Sequence, residues 1–318
     1  MNLILIRDCI ILFILSILLI KYLKRILYKF KFLDYVNNRS SHNITKIRGG
    51  GISFLIIGSF YFLIKGIYDP LLCNFYSILG FLDDKFKISF KKRLIFQLIF
   101  STFICYESKF FNLLINTLDK YLNQYFILFL LVIFITGLIN FINFMDGIDG
   151  IVCASIIPWL ISFSIVTSSN IYFSFSFIVI AFLIWNWQPS KIFMGDVGSM
   201  YLGSLIAISL LQMDSYNNFF ALTMIISPLL IDPIICLVTR LIYRHNIFSG
   251  HRLHLYQRLV QNGLEHWQVS TIYSTIVIIL SFTFFMLGMR ILITETITLL
   301  FVFTFLTFKQ KRFFKEIT

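Results

Sequence analysis

The stretch QYFILFLLVIFITGLINFINFMDGIDG, residues 124–150, decides the class of fold. Residues 124–142 are apolar almost throughout, long enough to cross a hydrocarbon core of about 30 Å as a helix. Asn140, Asn143, Asp146 and Asp149 then recur at every third position. On a helix each such step turns the side chain by about 300°, so neighbours share a face while Asn140 and Asp149 drift about 180° apart. All four meet only if the helix breaks, and Gly147 and Gly150 supply residues that can break it and let backbone approach a ligand. An aspartate acting as helix N-cap would explain one acid and leave the asparagines without a reason.

The rest of the chain is equally greasy. Of its 318 residues, 58% are hydrophobic and 13% charged, with a mean hydropathy of +0.85. That leaves too few polar residues to cover a soluble globule, so the fold class is an all-α, polytopic membrane helix bundle, read as one domain over 1–318. The first apolar stretch is followed by lysines and lacks a small-residue cleavage site, so it reads as a retained helix. Five cysteines (Cys9, Cys73, Cys105, Cys153 and Cys236) show no paired spacing and suggest neither disulfides nor a metal cluster.

Eleven spans follow from the apolar runs, at roughly 3–20, 50–67, 70–82, 94–107, 124–142, 151–168, 171–187, 198–212, 219–240, 269–288 and 291–308. Of the 27 Lys and Arg, all but Arg7, Lys65, Lys109, Lys120 and Arg290 then fall on the side of the C terminus. The positive-inside rule places the N terminus outside and the C terminus in the cytoplasm. The net charge of +12 is thereby explained without nucleic acid. Asp83, Asp84, Asp146, Asp149 and Asp196 all fall on the cytoplasmic face, each beside a glycine-containing or polar break, where a carboxylate is expensive unless it meets water or a cation.

Each break carries its own chemistry. LDDKFKISFKKRL pairs Asp83 with Asp84, suited to a divalent cation or to a raised pKa on one of them, and its basic run suits a lipid phosphate. SKIFMGDVGSMYLGS opens a span on Asp196, where a carboxylate and first-turn amides can share a metal–diphosphate. In RHNIFSGHRLHLYQRLVQNGLEHWQ, a helix would align His251, His254 and Arg258 as one basic stripe. It would suit an anion better than zinc, because no Cys or carboxylate completes a tetrahedral set at suitable spacing. RSSHNITKIRGGGIS offers Arg39, His42, Arg48 and flexible backbone for a phosphate. Asp232, inside PLLIDPII beside Pro233, has no role assignable from sequence.

Taken in order, NxRSSHxxxxxRGGGI, the DD pair, NFxNFMDGIDG, FMGDVGSMYLG and HRxHLYQRL resemble the motifs of the polyprenyl-phosphate N-acetylhexosamine-1-phosphate transferases of glycosyltransferase family 4. The resemblance runs from residue 38 to residue 259. It implies a multi-pass protein of the bacterial inner membrane, with its active site facing the cytoplasm and with Mg²⁺ or Mn²⁺ as cofactor. The partners it implies are undecaprenyl phosphate, a UDP-N-acetylated sugar and the lipid bilayer, with no nucleic acid; a homodimer stays open. Carried over by motif, Asp196 and Asn143 would hold the metal, and Asp83 and Asp84 would act on the lipid phosphate with Asp83 as base. Asp146 and Asp149 would stand near nucleotide and metal. Arg93, Asn140, His251, Arg252 and His254 would contact phosphate or sugar. The chain departs from the family at Asn37, where proline is common, and at Lys46-Ile47, where Thr-Pro is frequent. It also lacks the three-histidine loop of the muramoyl-pentapeptide enzymes, which argues against that substrate.

The implied reaction is attack of a lipid phosphate oxygen on a UDP-sugar, releasing UMP and starting an O-antigen or similar surface glycan. The alternative is a transporter or flippase of lipid-linked sugar, for which intramembrane acids and broken helices are also expected.

Overall fold

The computed structural model describes residues 3–36, 44–118, 120–246, 250–310 and 312–315. The segment 37–43, which holds Arg39 and His42 of the RSSH motif, lies outside the described residues. Apart from one short hairpin, the described chain is helical. Helix α1 (Leu3–Lys29) rises about 40 Å at 1.5 Å per residue and ends on lysine. Two-residue strands β1 (Leu33–Asp34) and β2 (Lys46–Ile47) pair antiparallel and close the loop that follows it. A π-helical turn at Phe54–Gly58 runs into α2 (Ser59–Ile64). A 3₁₀ turn at Asp69–Leu72 leads to α3 (Cys73–Phe86), then α4 (Phe90–Tyr106) and α5 (Lys109–Leu118).

The central helices are α6 (Gln124–Met145), α7 (Ile151–Thr167), α8 (Asn170–Asn186) and α9 (Asp196–Leu211). They are followed by α10 (Tyr216–Ile225), α11 (Pro228–Ile242) and α12 (Leu255–Gln261), then by α13 (His266–Leu287), α14 (Met289–Lys309) and α15 (Arg312–Lys315). Helix occupies each of the eleven apolar stretches. Among the described residues, length and composition qualify α1, α6, α13 and α14 to cross a membrane, or up to six spans if each bent pair counts as one. The chain is an all-α membrane protein.

Two bends differ from the sequence reading. The ninth stretch, 219–240, is two helices, α10 and α11, inclined at 72°, because Pro228 stands at the first position of α11 and cannot continue the hydrogen-bond ladder of α10. Helix α5 extends α4 at 68°; there Ser108 accepts the Phe111 amide on its hydroxyl at 3.2 Å and starts the new helix.

Helix α9 is the hub. Every residue from Val197 to Leu211 is buried, as expected of a helix that is apolar all round. Its Gly198, Ser199, Gly203, Ser204 and Ala207 are small, which lets α3 and α6 pack close. On the other side of the bundle α8 lies between α1 and α7, and α7 against α13. At the start of α9, the Gly50 and Gly51 amides donate to Phe193 and Met194 carbonyls at 2.9 Å each. The RGGG segment thereby runs alongside the MGD segment. A Cβ on Gly51 would stand 2.1 Å from the Gly198 Cα, so backbone meets backbone and no side chain fits between.

Gly51→Ala should therefore cost about 1–3 kcal/mol or more through overpacking. Gly137→Ala, where the nearest atom to a new Cβ is Phe141 at 3.7 Å, should leave stability unchanged or raise it by about 0.5–1 kcal/mol. Melting temperatures of the two variants in one detergent would rank them; equal values would contradict the close backbone contact.

Candidate active site

Four separate breaks in the helices deliver their polar residues to one end of α9. Asp84, on the last turn of α3, accepts the Asp196 amide on one oxygen and the Val197 amide on the other, each at 3.1 Å. It thus caps α9 from another helix, the position where a carboxylate meets unpaired amides and the positive end of the dipole. Arg48, arriving along the RGGG segment, donates through Nε to Asp84 and through a terminal nitrogen to Asp196, both at 2.6 Å. Arg93, near the start of α4, pairs with Asp83 at 2.5 Å and reaches the second oxygen of Asp196 at 3.3 Å. Two arginines and three aspartates form one continuous ionic network around Asp196.

Asn143 joins from α6, its carbonyl oxygen accepting the Ser199 hydroxyl in the first turn of α9. Asp146 caps the end of α6, its amide donating to the Asn143 carbonyl at 3.3 Å, while its carboxylate has no hydrogen-bond or ion-pair partner among the described residues. Burial pushes its carboxyl well above the ordinary range; Arg48 opposes the shift, and Asp196, Asp84 and Asp149 add to it. An unpaired acid facing others is the electrostatic condition that a bound cation relieves.

The polar residues of the opening stretch do not all meet. Helix α6 continues through Asn140 and Asn143 to Met145 and breaks only afterwards, with Gly150 at φ +80°. Asn140 consequently points at α4, donating to the Gln97 side chain and to the Thr136 carbonyl at 2.8 Å each. Asp149 points at α13, 3.6 Å from His266 Nδ1, and accepts the Ser190 amide at 3.1 Å. Burial raises its carboxyl, but these contacts outweigh it and hold the group below the usual value. Neither residue is in the ionic network.

The basic stripe expected from His251, His254 and Arg258 is not formed. Helix α12 begins only at Leu255, because Asp232 of α11 accepts the Leu255 and Tyr256 amides at 2.7 and 3.0 Å and the Tyr273 hydroxyl at 2.7 Å. Asp232, unassignable from sequence, is thus the cap of α12. Arg258 turns away, fully buried, and donates to Thr307 of α14. The rings of His251 and His254 lie side by side, centroids 4.9 Å apart and planes tilted by 33°. Burial, with His254 and Arg240 nearby, brings His251 down to about 3 and leaves it neutral. For His254, burial works against the charge, but Cys236 and Asp232 outweigh it and lift the ring to about 10. Arg252 is half-buried, its carbonyl accepting Gln261 at 2.9 Å. The HLYQRL motif meets the opening stretch directly: Tyr256 donates to the Phe144 carbonyl at 2.9 Å, and a Cβ on Gly147 would stand 2.0 Å from its hydroxyl.

A groove of about 560 Å³ leads away from the network between α4, α6 and α11. Arg93, Asn140, Arg240, His251 and His254 line it together with Ile88, Leu94, Leu98, Ile133 and Leu237. Arg48, offered by the RGGG segment as a phosphate contact, and Gln97, not among the expected site residues, belong to these surroundings. Arg48 had the signal of an arginine before three glycines, while Gln97 had none in an apolar helix. Contrary to the sequence reading, a cysteine does stand beside the histidines: ligand atoms of Cys236, His251 and His254 lie within 4.8 Å of one another.

The comparisons agree with the motifs. Residues 70–214 match the model of a family described as glycosyl transferase family 4. A Bacillus subtilis protein called a probable undecaprenyl-phosphate N-acetylglucosaminyl 1-phosphate transferase is 28% identical over 268 residues, 76% of this chain and 74% of that protein. Phospho-N-acetylmuramoyl-pentapeptide-transferases are also similar. That of Fervidobacterium nodosum is 29% identical over 180 residues, 50% of this chain and 56% of that protein. That of Streptococcus sanguinis is 27% identical over 187 residues, 50% and 57% of the two chains.

Two substitutions separate support from function. Asp84→Ala leaves Arg48 and the α9 amides without their carboxylate and should cost about 3–5 kcal/mol. Asp146→Asn removes a carboxyl that is costly to ionise, and should stabilise the metal-free protein by on the order of 1 kcal/mol while lowering activity. Thermal unfolding with EDTA checks both; a destabilised Asp146→Asn would contradict the unpaired state.

Proposed function

Because the chain belongs to glycosyl transferase family 4, among the polyprenyl-phosphate N-acetylhexosamine-1-phosphate transferases, we propose that it moves a phospho-N-acetylhexosamine from a UDP-sugar to undecaprenyl phosphate, releasing UMP. The observation that carries this reading is Arg93, which belongs at once to the ionic network and to the wall of the apolar groove. A lipid chain in the groove would bring its phosphate to that guanidinium. The nucleotide would approach from the water side, past Arg48.

The donor set fits a hard divalent cation such as Mg²⁺ or Mn²⁺: carboxylate oxygens of Asp196 and Asp146 with the amide oxygen of Asn143, and no sulfur or imidazole among them. When bound, the ion would neutralise the diphosphate and polarise the phosphoryl group. Asp196, tied to both arginines, is the residue proposed to hold it, with Asn143 and Asp146 beside it. Asp83 is proposed to accept a proton from the lipid phosphate, released from Arg93 as that guanidinium turns to the substrate. Asp84 would act through α9 by fixing where Asp196 stands. Asn140, Asp149, His251, Arg252 and His254 are proposed to act in support: Asn140 and the histidines along the groove, Asp149 before α7 and against His266 of α13, and Arg252 ahead of α12. Phosphoryl transfer asks mainly for such positioning and charge neutralisation.

Lys85, Lys87, Lys91 and Lys92 stand beside this end of the bundle, and by the positive-inside rule they support a cytoplasmic site; with eleven spans the N terminus would then be external. We place the protein in the bacterial inner membrane at the start of a surface glycan such as O-antigen, with UDP-N-acetylglucosamine as the first donor to test. The flippase reading is set aside because the acids gather at helix ends and not along a pathway through the bundle.

Detergent-purified protein given undecaprenyl phosphate and UDP-N-acetylhexosamines should release UMP only with Mg²⁺ or Mn²⁺, and EDTA should stop it. Asp196→Ala should lose about 10³-fold or more in kcat, on the scale of losing a central electrostatic group. Arg93→Ala should raise KM for the lipid and spare KM for the nucleotide. Near-normal turnover by Asp196→Ala would overturn the assignment.

A further inference from the structure

The three side chains Cys236, His251 and His254 are an unused constellation. Cys236 sits on α11 one turn after Asp232 and is 2% exposed; His254 is 6% exposed. Their ligand atoms and that of His251 lie within 4.8 Å of one another. A tetrahedral Zn²⁺ with sulfur at about 2.3 Å and nitrogens at about 2.0–2.1 Å needs ligand atoms about 3.4–3.6 Å apart. Closing the cluster takes a shift of roughly 1 Å in side chains alone.

We propose that Cys236, His251 and His254 form a second metal site, selective for a soft or borderline divalent ion of the Zn²⁺ class and separate from the oxygen-rich aspartates. Thiolate and imidazole suit such an ion and discriminate against Mg²⁺. The surroundings are those of a metal centre. Asp232 Oδ1 lies 3.7 Å from His254 Nδ1, and that Nδ1 is buried without a hydrogen-bond partner. A carboxylate behind a ligating histidine fixes its tautomer and raises its basicity. The same Asp232 clamps the first amides of α12, so the histidine and the cap are set by one side chain. Binding has one local cost: His251 Nδ1 now accepts the Leu253 amide at 3.2 Å, a long bond that a flipped ring gives up.

Three protein ligands leave a fourth position, and all three residues line the groove. The ion would clasp α11 to the segment before α12 and present its open position to whatever oxygen enters that groove.

The test uses the full chain in detergent, with saturating Mg²⁺ to fill the aspartate site. Co²⁺, a spectroscopic stand-in for Zn²⁺, should bind at one equivalent per chain with tetrahedral visible bands and thiolate-to-cobalt absorption in the near ultraviolet, and Zn²⁺ should displace it. Cys236→Ser should remove the thiolate absorption, and His251→Ala should weaken binding by about 100-fold while retaining the absorption at high Co²⁺. Asp232→Asn should weaken it by about 10–100-fold, as loss of an outer carboxylate does. Using several variants, each confirmed folded by its elution and helicity, means that a misfolded one does not decide the matter. Failure of folded wild-type protein to bind Co²⁺ would overturn the proposal. So would binding without thiolate absorption that survives in Cys236→Ser. Neither result depends on whether UMP is released.

Discussion

The buried carboxylate of Asp84 holds the site end of the molecule in place. An α-helix leaves its first amides unpaired, and those of α9 lie deep in the protein, where unpaired amides would be costly. Asp84 satisfies two of them and meets Arg48 at the same time. Arg48 in turn can lie here only because the glycines after it let the backbone pass against Gly198. The position of Asp196 is thus set by α3, by the RGGG segment and by α9 together.

The same device occurs a second time. Asp232 stands to α12 as Asp84 stands to α9: an acid on one helix that satisfies the first amides of another. In both cases the negative charge sits at the positive end of a helix dipole and avoids an isolated burial. These two caps bound the groove region, one at the ionic network and one beside the histidines. A chain with few charges has spent two of them on fastening helix starts together.

Much of this was legible in the sequence, and the reasons are local. Glycine and aspartate breaks in apolar runs marked 83–84, 146–150 and 195–198, and the structure brings Asp83, Asp146, Asn143 and Asp196 together at one end. Helix-long apolar runs gave the all-α membrane class. What was hidden depends on distant partners. The cap of α12 comes from a residue 23 positions earlier, so local rules extended a helix back over His251 and His254. Cys236 reads as filler until α11 folds beside the histidines. Asn140 shares the spacing of Asn143 but faces Gln97 on α4, a pairing visible only once the helices are packed. The bend before Pro228 was within reach, since proline at that position ends a hydrogen-bond ladder.

The length of α9 carries a consequence of its own. Sixteen residues rise about 24 Å, roughly 6 Å short of a hydrocarbon layer. A helix so short would strain against lipid, yet α9 touches none, because its neighbours surround it along its length. Asp196 at the start of this short helix would then stand below the level that a spanning helix of full length reaches. A lipid phosphate would then slide sideways into a wet hollow without rising out of the bilayer, and the soluble substrate would descend to meet it.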